Sequence, residues 1–96
     1  MGDDSSFNGD SVRRSVRLEC ANGLHLTPIT ALVKKASEFG ADIRIRFDGK
    51  MANAKSAMDL MLLGATFGAE LDVEVTGDDA LPAMEAIASV LAEKRD

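Results

Sequence analysis

The chain contains one cysteine and one histidine in 96 residues. A single thiol, Cys20, excludes an internal disulfide and fits a reducing, cytoplasmic compartment. One imidazole beside one thiol leaves too few ligands for a structural zinc site, so neither a metal nor a cofactor is expected. No apolar run approaches the roughly 20 residues that cross a bilayer. No secretory h-region opens the chain, and no membrane contact is expected. There is no GxxxxGK phosphate cradle. Basic residues are in deficit, with 11 Lys and Arg against 16 Asp and Glu, a net charge of −5. No basic stripe offsets phosphate repulsion, which argues against a nucleic-acid partner. The balance suits a protein partner with a basic patch.

What remains is a globular composition, 46% hydrophobic, in a length that supports one domain with one core. Residues 1–11 are polar, with Gly2, Gly9 and several aspartates, and read as a disordered leader. The domain occupies 12–96. Val12–Cys20 alternates as a strand with Val16, Leu18 and Cys20 on one face and Arg17 and Glu19 on the other. Ala21–Gly23 turns the chain. Ile29, Leu32, Val33, Ala36 and Phe39 then recur at helical spacing. Gly40 is expected to stop that helix, with Lys34 and Lys35 near its negative end. Asp42–Phe47 alternates as a second strand, with Ile43, Ile45 and Phe47 inward. Asp48-Gly49 signals a hairpin turn into a short strand, Lys50–Asn53.

Ser56 caps the next helix, and Asp59 three places on completes a capping box. Leu60 and Leu63 form its buried pair, and Gly64 ends it. Glu70–Thr76 is the last strand, with Leu71, Val73 and Val75 inward. Asp79 caps the last helix and places Pro82 at N3, where its missing N–H costs nothing. Ala83, Met84, Ile87, Val90 and Leu91 form the inner face. The order is βαββαβα. Three helices on one face of a four-stranded antiparallel sheet, an α+β fold, bury every apolar face.

His25 stands where the first strand gives way to the first helix. Imidazole is a competent phosphoryl nucleophile when one ring nitrogen is available, and its ordinary pKa lies near neutrality. Either Thr27 caps the helix with Pro28 at N1, or His25 caps it with Pro28 at N3. On both readings three or four backbone N–H groups are expected beside the ring, where they would stabilise a phosphate dianion. The Thr27 hydroxyl adds a donor. No Ser-His-Asp arrangement for hydrolysis is legible. Ser56 is a structural cap that would tolerate a phosphate at a positive helix end. Met58, Met61 and Leu62 exceed what the core needs, and a soft apolar surplus suits docking to a partner.

From about Val12 to Glu93 the chain resembles the HPr family, the histidine-containing phosphocarriers of the bacterial phosphotransferase system. The stretches that carry the resemblance are Asn22-Gly23-Leu24-His25 with Pro28, Phe39, Gly49-Lys50, Asn53-Ala54-Lys55-Ser56, Leu60-Met61, Leu63-Gly64, and Gly77 with Asp79-Ala80. The resemblance implies an HPr-like open-faced β-sandwich with sheet order 1-4-2-3. It implies that His25 is phosphorylated on Nδ1 by phosphorylated enzyme I and passes the group to sugar-specific acceptor subunits or regulatory proteins. Such a protein is a phosphoryl carrier rather than a stand-alone enzyme. Ser56 matches the serine modified by an ATP-dependent HPr kinase/phosphorylase. Ala57, Met58 and Met61 match the apolar docking surface, which Leu26 and Leu62 extend. A monomer is the family expectation. The family usually carries a small residue and then an arginine between histidine and proline, where this chain has Leu26 and Thr27. A hydroxyl replaces neither the charge nor the fork of that arginine.

Overall fold

The computed structural model describes residues 11–94. The elements are β1 (Ser11–Arg17), α1 (Leu26–Ala36), β2 (Asp42–Phe47), β3 (Lys50–Asn53), α2 (Ala57–Leu63), β4 (Glu70–Thr76) and α3 (Ala80–Ala92). The βαββαβα order read from the periodicity is the observed one. The sheet runs β1-β4-β2-β3, entirely antiparallel, which is the 1-4-2-3 order of an open-faced sandwich. Residues 1–10 of the expected leader lie outside the described residues. Ser11, assigned to that leader by composition, is the first residue of β1 and pairs with Thr76.

Alternation explains which side of the sheet the helices cover. Ile43, Ile45, Leu71, Val73, Val75 and Val16 are buried beneath them, as are Ile29 and Leu32 of α1, Leu60 and Leu63 of α2, and Met84, Ile87 and Leu91 of α3. Phe47 is half-buried against this core. No polar or charged side chain among the described residues is buried. The opposite side of the sheet is a lattice of charge. The β4 residues Glu70, Asp72 and Glu74 lie between Arg13, Ser15 and Arg17 of β1 and Arg44 and Arg46 of β2. Glu74 bridges Arg13 at 3.6 Å and Arg46 at 3.5 Å. Exposed pairs of this kind contribute at most about 1 kcal/mol each.

Three boundaries differ from the sequence reading. β1 ends at Arg17 rather than Cys20, because its pairing with β4 ends at the Arg17–Glu70 partners. Leu18 and Cys20 remain buried beyond that point. The α1 helix ends at Ala36 with Ser37 as its C-cap, so Gly40 is not its stop and Phe39 lies beyond it. The Gly40 amide instead donates to Asp79 Oδ2 at 2.9 Å. Asp79 therefore ties the loop after α1 to the start of α3, and its side chain makes no cap bond to α3 itself. It remains the N-cap by position, and Pro82 falls at N3 as read. The Asp48-Gly49 turn has positive φ at both residues, 53° and 77°, the signature of a type I′ hairpin.

Candidate functional site

The loop carrying His25 is fastened from three sides. Leu18 donates to Ala69 O at 2.9 Å and accepts from Gly68 N at 2.8 Å, and Glu19 N donates to Leu91 O at 3.0 Å. These bonds carry the chain beyond the sheet ladder. Gly23 N then donates to Cys20 O at 2.9 Å, and Leu24 N to Ala65 O at 3.0 Å. Gly23 has φ +73°, and a Cβ there would lie 2.8 Å from Ala65 O and 3.1 Å from Thr66 Cα. Glycine is needed for both the left-handed backbone and the close approach. Leu24 is buried, which anchors the residue immediately before the histidine in the core.

His25 is the N-cap of α1, with extended backbone at φ −111°. Its carbonyl accepts from Ile29 N at 3.0 Å, and its side chain makes no cap bond. The residue is half-buried, and Leu26 and Thr27 after it are exposed. Of the two caps weighed on sequence grounds the structure has His25, so Leu26, Thr27 and Pro28 are N1 to N3. This corrects the number of amides expected at the ring. Pro28 has no N–H and Ile29 N is bonded to His25 O, so only Leu26 and Thr27 present amides that the helix ladder leaves over. Chemically the arrangement offers an imidazole on a fixed backbone, two neighbouring amides and the Thr27 hydroxyl. It suits a nucleophile that takes up a small anionic group.

The segment that packs on Gly23 follows directly from α2. Ser56 caps that helix, accepting from Asp59 N at 3.2 Å, and Gly64 closes it with φ +70°. The capping box is half formed. Asp59 Oδ2 accepts from Asn53 N at 3.2 Å rather than from Ser56 N, which donates to Asn53 O at 2.9 Å. The helix buries Leu60 and Leu63 as read. Met58, Met61 and Leu62 are 70%, 61% and 70% exposed, and Ala57 is exposed beside them. The α2 helix also contacts α1, so these side chains and Leu26 belong to neighbouring elements. Ser56 stands a helix length, about 10 Å of axis, from the Gly64–Ala65 turn.

Phe67 was not anticipated. It is 54% exposed, two residues beyond the Ala65 carbonyl that receives the Leu24 amide. The Arg17 guanidinium lies 6.0 Å from its ring centroid, and Arg17 Nε is 3.2 Å from Glu19 Oε2. Phe67 belongs to no periodic element, so no face could be assigned to it. The one available signal was an aromatic residue between two glycines, Gly64 and Gly68.

Comparison with known proteins follows from this geometry. Residues 12–93 match the family model described as the PTS HPr component phosphorylation site. Among solved structures, the phosphocarrier protein HPr from Bacillus anthracis superposes with TM-score 0.81 at 38% identity, over 84% of this chain and 96% of that one. The histidine-containing phosphocarrier protein of a mycoplasma gives TM-score 0.78 at 33% identity, over 82% and 90%. The Bacillus subtilis catabolite repression protein Crh, described as a domain-swapped dimer, gives TM-score 0.68 at 34% identity, over 83% and 92%.

Proposed function

This chain belongs to the HPr family of the phosphotransferase system, and on that footing we propose that it is a phosphocarrier that works through His25. Nδ1 attacks the phosphorus carried by phosphorylated enzyme I. The N–P bond forms as the bond from phosphorus to the donor breaks, and the electron pair returns to the donor. A second displacement, by an acceptor protein of the same system, releases His25 for another cycle. The acceptor is a sugar-specific subunit or a regulatory protein. The chain works as a cytoplasmic monomer, and no helix among the described residues is long and apolar enough to cross a membrane.

The observation that carries this reading is the placement of His25 as the N-cap of α1 on a loop fastened to Ala65 and Gly68. The backbone is fixed before the donor arrives, so alignment with phosphorus costs little further ordering. Thr27 and Leu26 contribute amides, and Thr27 a hydroxyl, toward the charge that develops on the transferred oxygens. Leu26, Ala57, Met58, Met61 and Leu62 form the apolar surface on which donor and acceptor dock in turn.

The test is phosphotransfer from the host's own enzyme I and phosphoenolpyruvate, read by mass spectrometry under conditions that preserve phosphoramidates. Acid-labile, base-stable phosphate on His25 is the expected product. Unchanged labelling of a His25→Ala protein would defeat the assignment.

A second reading has its own support in the match to Crh, named for catabolite repression. On that reading the chain is a regulatory binding protein controlled by an HPr kinase/phosphorylase acting on Ser56. It predicts acid-stable phosphate on Ser56 and none on His25. The Asp59 carboxylate weighs against it, because it is held at the same helix end as the Ser56 hydroxyl and would repel a phosphate there.

A further inference from the structure

Ser56 stands between two charged side chains, and each fastens the start of α2 to another element. Lys55 Nζ donates to Phe39 O at 2.8 Å, reaching the loop that follows α1. Asp59 Oδ2 accepts from Asn53 N at 3.2 Å, reaching back to the edge strand β3. The Phe39 carbonyl belongs to the same peptide unit as the Gly40 amide, which donates to Asp79 Oδ2 at 2.9 Å. One peptide of the α1–β2 loop is therefore held by a cation at the entry of α2 and by an anion at the entry of α3. Asn53 is held as closely. Its carbonyl accepts from Ser56 N at 2.9 Å, and its Oδ1 accepts from Lys55 N at 2.9 Å.

A phosphate on Ser56 acts on both fastenings. Transfer of the γ-phosphoryl group of ATP to Ser56 Oγ, with ADP leaving and the hydroxyl proton lost, puts a charge of about −1.5 to −2 there at neutral pH. That charge repels the Asp59 carboxylate three residues on and attracts the Lys55 ammonium of the preceding residue. The Asp59 amide, which donates to Ser56 Oγ at 3.2 Å, turns to a phosphate oxygen, so the cap survives while the carboxylate leaves Asn53. The helix has only seven residues, and so few aligned peptides do little to offset the added charge. Leu60 and Leu63 stay buried and keep the later part of the helix in place.

We propose that Lys55 and Asp59 form a charge switch thrown by phosphorylation of Ser56. The phosphate draws Lys55 off the Phe39 carbonyl and drives Asp59 off the Asn53 amide. The first turn of α2 is thereby released from the α1–β2 loop and from β3. The proposal rests on the second reading above, in which Ser56 is modified, and deepens it. It makes the Asp59 carboxylate, which opposes the modification, the part that responds once the modification is made. The change reaches Ala57 and Met58, at the start of the apolar surface, as a loss of restraint.

Phosphoserine installed at position 56 of the full chain by chemical ligation isolates the switch from any kinase. Hydrogen exchange at the backbone amides of Asn53 and Gly40, followed by NMR, reads the two fastenings. The phosphate is expected to speed exchange about tenfold or more at Asn53 and by a smaller factor at Gly40, whose peptide carbonyl Lys55 holds. The amides of Leu60 and Leu63 are expected to respond less than either. In Asp59→Asn the neutral side-chain oxygen still accepts from Asn53 and is not repelled, so the Asn53 response is expected to vanish and the Gly40 response to remain. Lys55→Gln is expected to do the reverse. Equal exchange with and without phosphate at either amide of the unaltered chain overturns the proposal, as does an Asn53 response that persists in Asp59→Asn. A separate incubation with ATP and an HPr kinase/phosphorylase decides the reading beneath it. No phosphate on Ser56 refutes that reading, and the ligated chain still upholds or overturns the switch.

Discussion

Replacing Gly23 with alanine measures how firmly the histidine loop is seated, and a second glycine supplies the control. Gly23 and Gly49 share nearly the same backbone, φ +73° and +77°. At either position a side chain in the left-handed region costs about 1–2 kcal/mol, partly offset by about 0.4–1 kcal/mol from a stiffer unfolded chain. The sites differ in surroundings. A Cβ at Gly49 meets nothing within 4 Å, whereas one at Gly23 lies 2.8 Å from Ala65 O and 3.1 Å from Thr66 Cα. Both neighbours are backbone atoms in a loop bonded to Leu18, so they cannot swing aside as a side chain would. Overpacking of this kind costs about 1–3 kcal/mol. The conformational term cancels in the difference, and Gly23→Ala should lose about 2 kcal/mol more than Gly49→Ala. For a domain of this size that separates the melting temperatures by about 8–16 °C. Urea unfolding with a common m-value gives the difference directly. Losses equal within about 0.5 kcal/mol would refute the claim that the Gly23–Ala65 contact seats the loop. Relief of the clash displaces the backbone two residues from His25, so Gly23→Ala should also slow phosphoryl acceptance in molecules that remain folded.

The other predictions concern charge near the two candidate phosphoacceptors. Thr27→Arg introduces a cation beside His25 that would pair with a phosphate there, worth about 1.5–3 kcal/mol, and should speed transfer to His25 roughly ten- to a hundredfold; an unchanged rate in a quenched-flow assay would show that Thr27 is not the weak point. Ser56→Ala removes the cap of α2 and should cost about 0.5–2 kcal/mol in urea unfolding, and it should abolish ATP-dependent labelling if Ser56 is the acceptor. Asp59→Asn keeps the backbone cap and removes the carboxylate, so labelling of Ser56 by an HPr kinase should rise about five- to tenfold; identical rates would show that the carboxylate exerts no such restraint.

Alternation and helical spacing are backbone regularities, and the elements they govern are legible in the sequence. Ile43 and Ile45, or Leu71, Val73 and Val75, declare a half-buried strand without help from their neighbours, and the order of the elements follows. The misjudged features depend on contacts between distant segments. β1 stops at Arg17 because β4 begins at Glu70, which the alternation of Leu18 and Cys20 does not reveal. The α1 helix ends at Ala36, and the Gly40 that marked its expected stop gives its amide to Asp79, 39 residues away. At the site, His25, its place between the first strand and the first helix, and the surplus of Met58, Met61 and Leu62 were visible as local pattern. The choice between two caps, and with it the count of amides, required the observed backbone. Phe67 was invisible because an isolated aromatic in a loop has no period, and its pairing with Arg17 joins residues 50 positions apart in the chain.

The uncovered side of the sheet has a consequence for how these molecules meet one another. Its rows run basic, acidic, basic across β1, β4 and β2, with the acidic row inside. Two copies approaching face to face about a two-fold axis that runs along β4 would set carboxylates against carboxylates and guanidinium groups against guanidinium groups. Only a sideways shift by one strand spacing, about 4.8 Å, brings unlike rows together, and that shift leaves part of each face unmatched. The same lattice that contributes little to folding therefore discourages stacking of this water-facing side centred on β4, and the discouragement weakens as salt shortens the reach of the charges.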